Sequence, residues 1–247
     1  MRVEALSVAL RPRLASEASD LGVALVRTHA LSVWRSFAPV YAVFFLLACA
    51  TVEIKPWLPS ALIWWCKPWL DCCLLFILSR AVFGQSTRFA DLWRPGAAIW
   101  RRQWLRTLLW QRLSFWRSFT QPVYQLEGQR GPPMRRRRRL LLDGQRGAAS
   151  AMMLAFFHVE FALYFGLVTA VYWFIPQGSQ KGMFEWLLAG SQAEQSFWAL
   201  TPAVLYAVVV LIVEPFYVAA GLALYLNRRV ELEAWDIEQE FRHDFAS

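Results

Sequence analysis

The chain has 247 residues, of which 57% are hydrophobic, 16% are aromatic and only 18% are charged, and its net charge is +8. Soluble domains contain about 45–50% apolar and about 25% charged residues, so this composition excludes an ordinary soluble globule and a disordered chain. The apolar residues form long continuous runs, unlike the alternating segments of about ten residues in membrane β-barrels. We therefore expect an all-α polytopic membrane protein with about four transmembrane helices and additional interfacial helices.

The first 36 residues contain an amphipathic stretch, positions 18–34, and lack the long apolar core of a cleavable signal. Because charged residues such as Asp20, Arg27 and Arg35 interrupt or border it, this stretch is too polar to span a bilayer. We expect it to lie flat in the membrane surface, ahead of the first spanning helix.

Four stretches are apolar enough to cross about 30 Å of hydrocarbon, which takes roughly 20 helical residues. They form two hairpins, residues 37–83 and 149–226. The individual spans lie at residues 37–52, 60–83, 149–175 and 199–226. Pro68 leaves two alternatives for the second span. Its helix either runs through Pro68 or begins there, which would place Lys67 in the headgroup layer.

Basic residues are distributed unevenly between the connections. The middle segment, residues 84–148, carries 14 arginines, and Arg228 and Arg229 directly follow the last span. The two opposite connections carry only Lys55 and Lys181. Cytoplasmic flanks of membrane spans are enriched in Lys and Arg. The counts therefore predict a bacterial inner-membrane protein with both termini and the middle segment in the cytoplasm.

The cytoplasmic pieces are expected to contact lipid or acidic partners. Residues 87–119 interleave tryptophan with arginine, a mixture that suits the headgroup layer. A run of five arginines follows: Arg135, Arg136, Arg137, Arg138 and Arg139. Close to a span, such a run favours contact with anionic lipid over an acidic protein partner, and we expect no nucleic-acid binding. The acidic tail, residues 227–247, either pairs with the arginine-rich segment or docks a cytoplasmic protein.

Five ionisable residues fall inside the predicted spans: Lys67, Asp71, His158, Glu160 and Glu214. Counted from the cytoplasmic ends at 1.5 Å per residue, the three carboxylates all lie roughly 16–18 Å deep, close to the bilayer midplane. Buried charges need partners. Lys67 can neutralise one carboxylate, Asp71 at i+4 being the nearest, and a protonated His158 a second; the third then has to bind a proton or a cation.

Three roles remain open for these charges. A passive structural network, with tyrosines such as Tyr206 as hydrogen-bond partners, is favoured over contact with another subunit and over ion or proton coupling. Ala162, Gly166 and Ala170 form a small-residue ridge that admits close helix approach, and His158 lies on it. We therefore expect self-association or another membrane protein on this face.

Neither catalytic motifs nor cofactor motifs occur in the sequence, so we expect a non-enzymatic protein without cofactors or metals. The H-x-E motif at residues 158–160 lacks the cysteine pair of zinc deaminases. The four cysteines all lie in apolar stretches, where they act as small apolar residues. The favoured function is a component of a membrane assembly, and the alternative is a subunit of a proton- or cation-coupled transporter that uses the midplane carboxylates.

The two ends of the chain carry a recognisable pattern: DLGVALVR at residues 20–27, EPFY at 214–217, LYLNRR at 224–229 and EAWDIE at 233–238. This pattern resembles bacterial polytopic membrane proteins named after the glycerophosphoryl diester phosphodiesterase membrane domain. It is also similar to membrane proteins encoded beside MoxR-type ATPases and transglutaminase-like proteins. The resemblance implies an all-α membrane fold without catalysis, since the phosphodiesterase activity belongs to a separate soluble domain.

Overall fold

A computed structural model describes residues 12–92, 112, 114–174 and 196–233, with side chains from residue 200 onward in the last range. Within these ranges the regular elements are helices and one short 3-10 turn at Phe89–Leu92. The helices are α1 (Ala15–Thr28), α2 (Ala30–Cys49), α3 (Leu58–Ala81), α4 (Arg117–Gln125), α5 (Gly131–Leu142), α6 (Arg146–Trp173) and α7 (Ser196–Glu233).

Four of these helices, α2, α3, α6 and α7, are long and apolar enough to cross a membrane. They overlap the four predicted spans, with shifted ends, which confirms the prediction of an all-α polytopic protein. The alternative that the second helix begins at Pro68 is wrong, because α3 starts at Leu58 and Pro68 lies in its interior. A proline is tolerated there because neighbouring elements of a membrane bundle can satisfy the freed backbone groups.

The 38-residue helix α7 forms the centre of the bundle. Helices α1, α3, α4 and α6 all pack against it, and α2 packs mainly on α3. Small residues of α7 explain this crowding. Ala219 and Ala220 are fully buried and meet Gly22 of α1, where a Cβ would lie 2.4 Å from the Ala219 carbonyl oxygen. A backbone approach of this kind needs residues without large side chains.

The N-terminal amphipathic stretch divides into two helices at His29. The buried face of α1, formed by Ala18, Gly22 and Val26, packs on α7. The backbone amide of Arg13 also donates to Asn227 Oδ1 at 2.9 Å, which ties the start of α1 to the far end of α7. Helix α7 therefore covers the apolar face of α1, which the sequence predicted to lie in the membrane surface.

Helix α4 is a nine-residue segment inserted between α3 and α7. Eight of its residues are buried, although several of them are polar. Gln125 Nε2 donates to the Cys72 carbonyl oxygen at 2.6 Å. Ser118 packs closely on Gly221 of α7, because a Cβ on Gly221 would lie 2.4 Å from the Ser118 side chain. The arginine-rich segment thus enters the bundle here instead of staying in the headgroup layer. Most of its tryptophan-rich part, residues 93–111 and 113, lies outside the described residues.

The small-residue ridge of α6 faces away from the rest of the chain. Ala162, Gly166 and Ala170 are exposed, and a Cβ on Gly166 would have no described atom within 4 Å. The predicted close approach of another helix therefore does not occur within the part of the chain that the structure describes. Contact with a second copy or another membrane protein stays a prediction.

Candidate functional site

Five charged side chains meet in the middle of the bundle and form what we call the ionic cluster: Lys67, Asp71, Arg117, Glu160 and Glu214. Lys67 Nζ lies 2.5 Å from Glu160 Oε2 and 2.6 Å from Glu214 Oε2. Arg117 approaches Asp71 Oδ2 and Glu214 Oε1 at 2.8 Å each. Glu214 thus bridges both cations, and the cluster joins α3, α4, α6 and α7.

The structure brings together all three carboxylates that the depth count placed in one layer. Lys67 and Asp71 lie one turn apart on α3, but each pairs with another element of the bundle. Lys67 reaches Glu160 of α6 and Glu214 of α7, and Asp71 pairs with an arginine of α4. Tyr206 adds a neutral contact by donating its hydroxyl to Glu160 Oε1 at 2.8 Å.

Sequence reasoning missed Arg117, the second cation of the cluster. Arg117 is only 6% exposed, and the sequence placed it with the cytoplasmic arginines because it lies outside every apolar run. A signal was nevertheless present. Three midplane carboxylates faced a single lysine in the spans, and a buried carboxylate needs a cationic partner or a proton.

His158 does not lie beside a midplane carboxylate, where the sequence predicted that it would neutralise one. Its side chain is exposed, and its Nδ1 donates to the Leu154 carbonyl oxygen at 2.7 Å within the same helix. The reason is helical geometry. His158 and Glu160 are two residues apart and therefore lie about 200° apart around the axis. When Glu160 faces the bundle interior, His158 faces outward.

The charge balance of the cluster is incomplete. Three carboxylates meet two cations, which leaves one formal negative charge. Asp71 is 0% exposed, and its Oδ1 has no hydrogen-bond partner in the described structure. A further cation of the described residues, Arg112, has its guanidinium 3.6 Å from the centre of the Trp64 ring. Trp64 stacking favours the charged form of Arg112.

The two arginines near Glu214 differ in their partners. Arg117 is a member of the cluster and lies between Asp71 and Glu214. Arg112 stacks on Trp64 and forms no ion pair with the residues that the structure describes.

A cleft of about 460 Å³ opens onto the cluster between α3, α6 and α7. Its lining is mostly apolar and also carries charged and hydroxyl groups. Residues lining the cleft include Ser60, Ala61, Trp64, Lys67, Arg112, Ser114, Arg117, Met153, Phe156, Phe157, Glu160, Phe161, Tyr164, Tyr206, Val213, Glu214 and Tyr217. Within the described ranges, no group of three His, Cys, Asp or Glu side chains is arranged to hold a metal ion.

A second set of charges lies at the arginine-rich end of the bundle. Arg137 Nε is 3.0 Å from Glu127 Oε2, and Arg137 also pairs with Glu233 at the end of α7. Tyr225 donates to Glu127 Oε1 at 2.6 Å. The first residues of the acidic tail therefore pair with the arginine-rich segment, and residues 234–247 lie outside the described part.

The five consecutive arginines do not share one environment. Arg137 points into the second set of charges, with its side chain 22% exposed. Arg138 is half-buried, and its guanidinium lies 5.9 Å from the centre of the Trp116 ring. The remaining three, Arg135, Arg136 and Arg139, are exposed and remain the candidates for contact with anionic lipid.

These features define a multi-pass membrane protein of four candidate spanning helices, locked by a buried ionic cluster next to an open cleft. No known family, curated protein or solved structure matches the chain. The resemblance to bacterial polytopic membrane proteins at the two ends of the sequence therefore stays a prediction.

Proposed function

We propose that this chain is a non-enzymatic multi-pass protein of a bacterial inner membrane that works as a component of a larger membrane assembly. Both termini and the exposed arginines of α5 lie in the cytoplasm in this proposal, where they contact anionic headgroups. The uneven distribution of basic residues supports this orientation, since four spans return the chain to the side on which it began.

The ionic cluster is the observation that carries the proposal, because its ion pairs join different helices and hold them together. Each of its five members is paired with a residue of another helix. Lys67 and Glu214 together connect α3, α4, α6 and α7, so the cluster sets the register of the whole bundle. The exposed small-residue ridge of α6 is then the surface through which the locked bundle contacts its assembly.

A second candidate function, proton- or cation-coupled transport, is favoured by one observation. The cluster carries one carboxylate more than its paired cations, and the cleft opens directly onto Glu160 and Glu214. A proton or a cation bound there would complete the charge balance, and its exchange through the cleft would couple it to a substrate.

Purified protein in proteoliposomes distinguishes the two functions. The test compares the native chain with Asp71→Asn, Glu160→Gln and Glu214→Gln, using Glu231→Gln, an exposed position at the end of α7, as the matched control. For the proposed function, we expect no proton or cation flux from the native chain, lower thermal stability in the three cluster variants, and no change in the control.

The same preparation tests the assembly. In mild detergent, native mass spectrometry should show a particle larger than the single 28.6 kDa chain plus bound detergent. A stable monomer would contradict the assembly. A flux that the native chain supports and the cluster variants lose, at unchanged expression, would establish the transporter instead.

A further inference from the structure

Among the described residues that line the cleft, Arg112 is the charged residue without a charged partner. The other four, Lys67, Arg117, Glu160 and Glu214, pair within the cluster, while Arg112 makes no hydrogen bond or ion pair with the residues that the structure describes. Asp71, which balances Arg117, does not line the cleft. Among the described residues, the lining and Asp71 together hold three cations and three carboxylates. The carboxylates all pair with Lys67 or Arg117, which leaves the guanidinium of Arg112 without a direct counter-ion.

A second polar group of the same wall also lacks a partner. Ser114 Oγ is buried and has no hydrogen-bond partner in the described structure, and the same is true of Arg112 Nε. Buried donors are normally satisfied. These two unsatisfied donors lie two residues apart, and one of them belongs to the guanidinium without a counter-ion, so together they form a site for an anionic group.

Three aromatic residues that line the cleft are exposed on the spanning helices. Trp64 of α3 is 42% exposed, and Phe157 and Phe161 of α6 are 50% and 53% exposed. Large aromatic side chains exposed on membrane spans face hydrocarbon. A ligand that enters here comes from the lipid phase and needs an apolar part, which a simple water-soluble anion does not have.

The depth of Arg112 suits a headgroup. Trp64, on which Arg112 stacks, lies six residues from the first residue of α3 and 17 residues from Ala81. At 1.5 Å per residue, these separations are about 9 Å and about 25 Å. Arg112 is therefore in the half of the bilayer that contains the start of α3. It lies close enough to the membrane surface to bind the polar head of a lipid whose apolar chain points toward the bilayer centre.

We propose that the cleft binds an amphipathic anion from the bilayer, with its carboxylate or phosphate head on Arg112 and Ser114 and one apolar chain between α3 and α6. The volume of about 460 Å³ lies within the roughly 300–1,000 Å³ of ligand sites. Its apolar walls with few polar groups match the usual composition of such sites.

Brominated palmitic acid tests the proposal, because bromine quenches the fluorescence of nearby tryptophan and Trp64 lies at the site. The full chain in nonionic detergent is titrated with the probe, and the signal lost in Trp64→Phe reports the site. We expect Arg112→Gln to raise the Kd on the order of tenfold to a hundredfold, as for a lost hydrogen bond to a charged group. Arg112→Lys should retain most of the affinity.

Two further variants keep the test independent of folding effects. Arg139→Gln removes an exposed arginine of α5 and should leave the Kd unchanged. Ala61→Phe fills the cleft and leaves Arg112 in place, so it should also abolish site quenching. Each variant is compared at the same elution volume in size-exclusion chromatography.

Competition identifies the source of the anion. Displacement by unlabelled palmitate points to a free acid, and displacement by phosphatidylglycerol points to a phospholipid; either result supports the proposal. Equal displacement by hexadecanol would show that the charge is not recognised and would overturn it. Quenching that persists in both Arg112→Gln and Ala61→Phe would do the same, since it would report only partition into the detergent micelle.

Discussion

Replacing Arg117 by methionine removes the cation that holds two buried carboxylates. Asp71 is 0% and Glu214 1% exposed, so neither can turn to water when the guanidinium is lost. Removing one partner of a buried ion pair costs about 3–5 kcal/mol, because the remaining charge is left uncompensated. At about 2–4 °C per kcal/mol for a chain of this size, the Tm should fall by roughly 6–20 °C.

The assay is thermal unfolding of the purified protein in detergent, followed by loss of the monodisperse chromatographic peak. Arg136→Met, an exposed arginine of α5, serves as the matched control and should change the Tm by no more than about 1 °C, as expected for surface positions. The double variant Arg117→Met with Asp71→Asn removes one stranded charge and should recover part of the loss. If Arg117→Met unfolds at the native Tm, Arg117 is not a member of the cluster and the charge-pairing reasoning fails.

Two further predictions address packing and orientation. Gly221→Leu should destabilise the protein by about 1–3 kcal/mol, typical of an overfilled core, because a Cβ there would lie 2.4 Å from Ser118. Gly147→Leu, where a Cβ has no described atom within 4 Å, should leave the Tm unchanged in the same assay. Reporter fusions after Arg137 should show cytoplasmic activity, and fusions after Lys55 periplasmic activity; Arg137 on the outside would contradict the proposed orientation.

The spans and the shared layer of carboxylates were predictable from sequence because both are local properties. A continuous apolar run predicts a spanning helix without knowledge of its neighbours. The depth of Glu160 or Glu214 then follows from counting residues at a constant rise. Neither inference requires the packing of one helix against another.

The partners of those carboxylates were less predictable because they depend on tertiary packing. The i, i+4 spacing placed Lys67 beside Asp71, yet Lys67 instead pairs with carboxylates of two other helices. His158 and Glu160 could not both face the interior, and the helical period alone did not say which of them would. Glu160 sets the rotation of α6. Leaving the Glu160 carboxylate in lipid would cost more free energy than leaving the His158 imidazole there, because the imidazole hydrogen-bonds to a carbonyl of its own helix.

Arg117 shows how the charge balance of the spans constrains the connections. The four spans contain three midplane carboxylates and one lysine, so helices packed only on each other would leave two carboxylates without cations. The arginine-rich segment resolves half of this deficit by inserting α4 with Arg117. The polar backbone and side chains of α4 are tolerated because α3 and α7 bury them. An excess of buried carboxylates over cations in the spans therefore predicts that a neighbouring basic segment enters the bundle. The segment that does so here is also the one that brings Arg112, the unpaired cation, to the wall of the cleft.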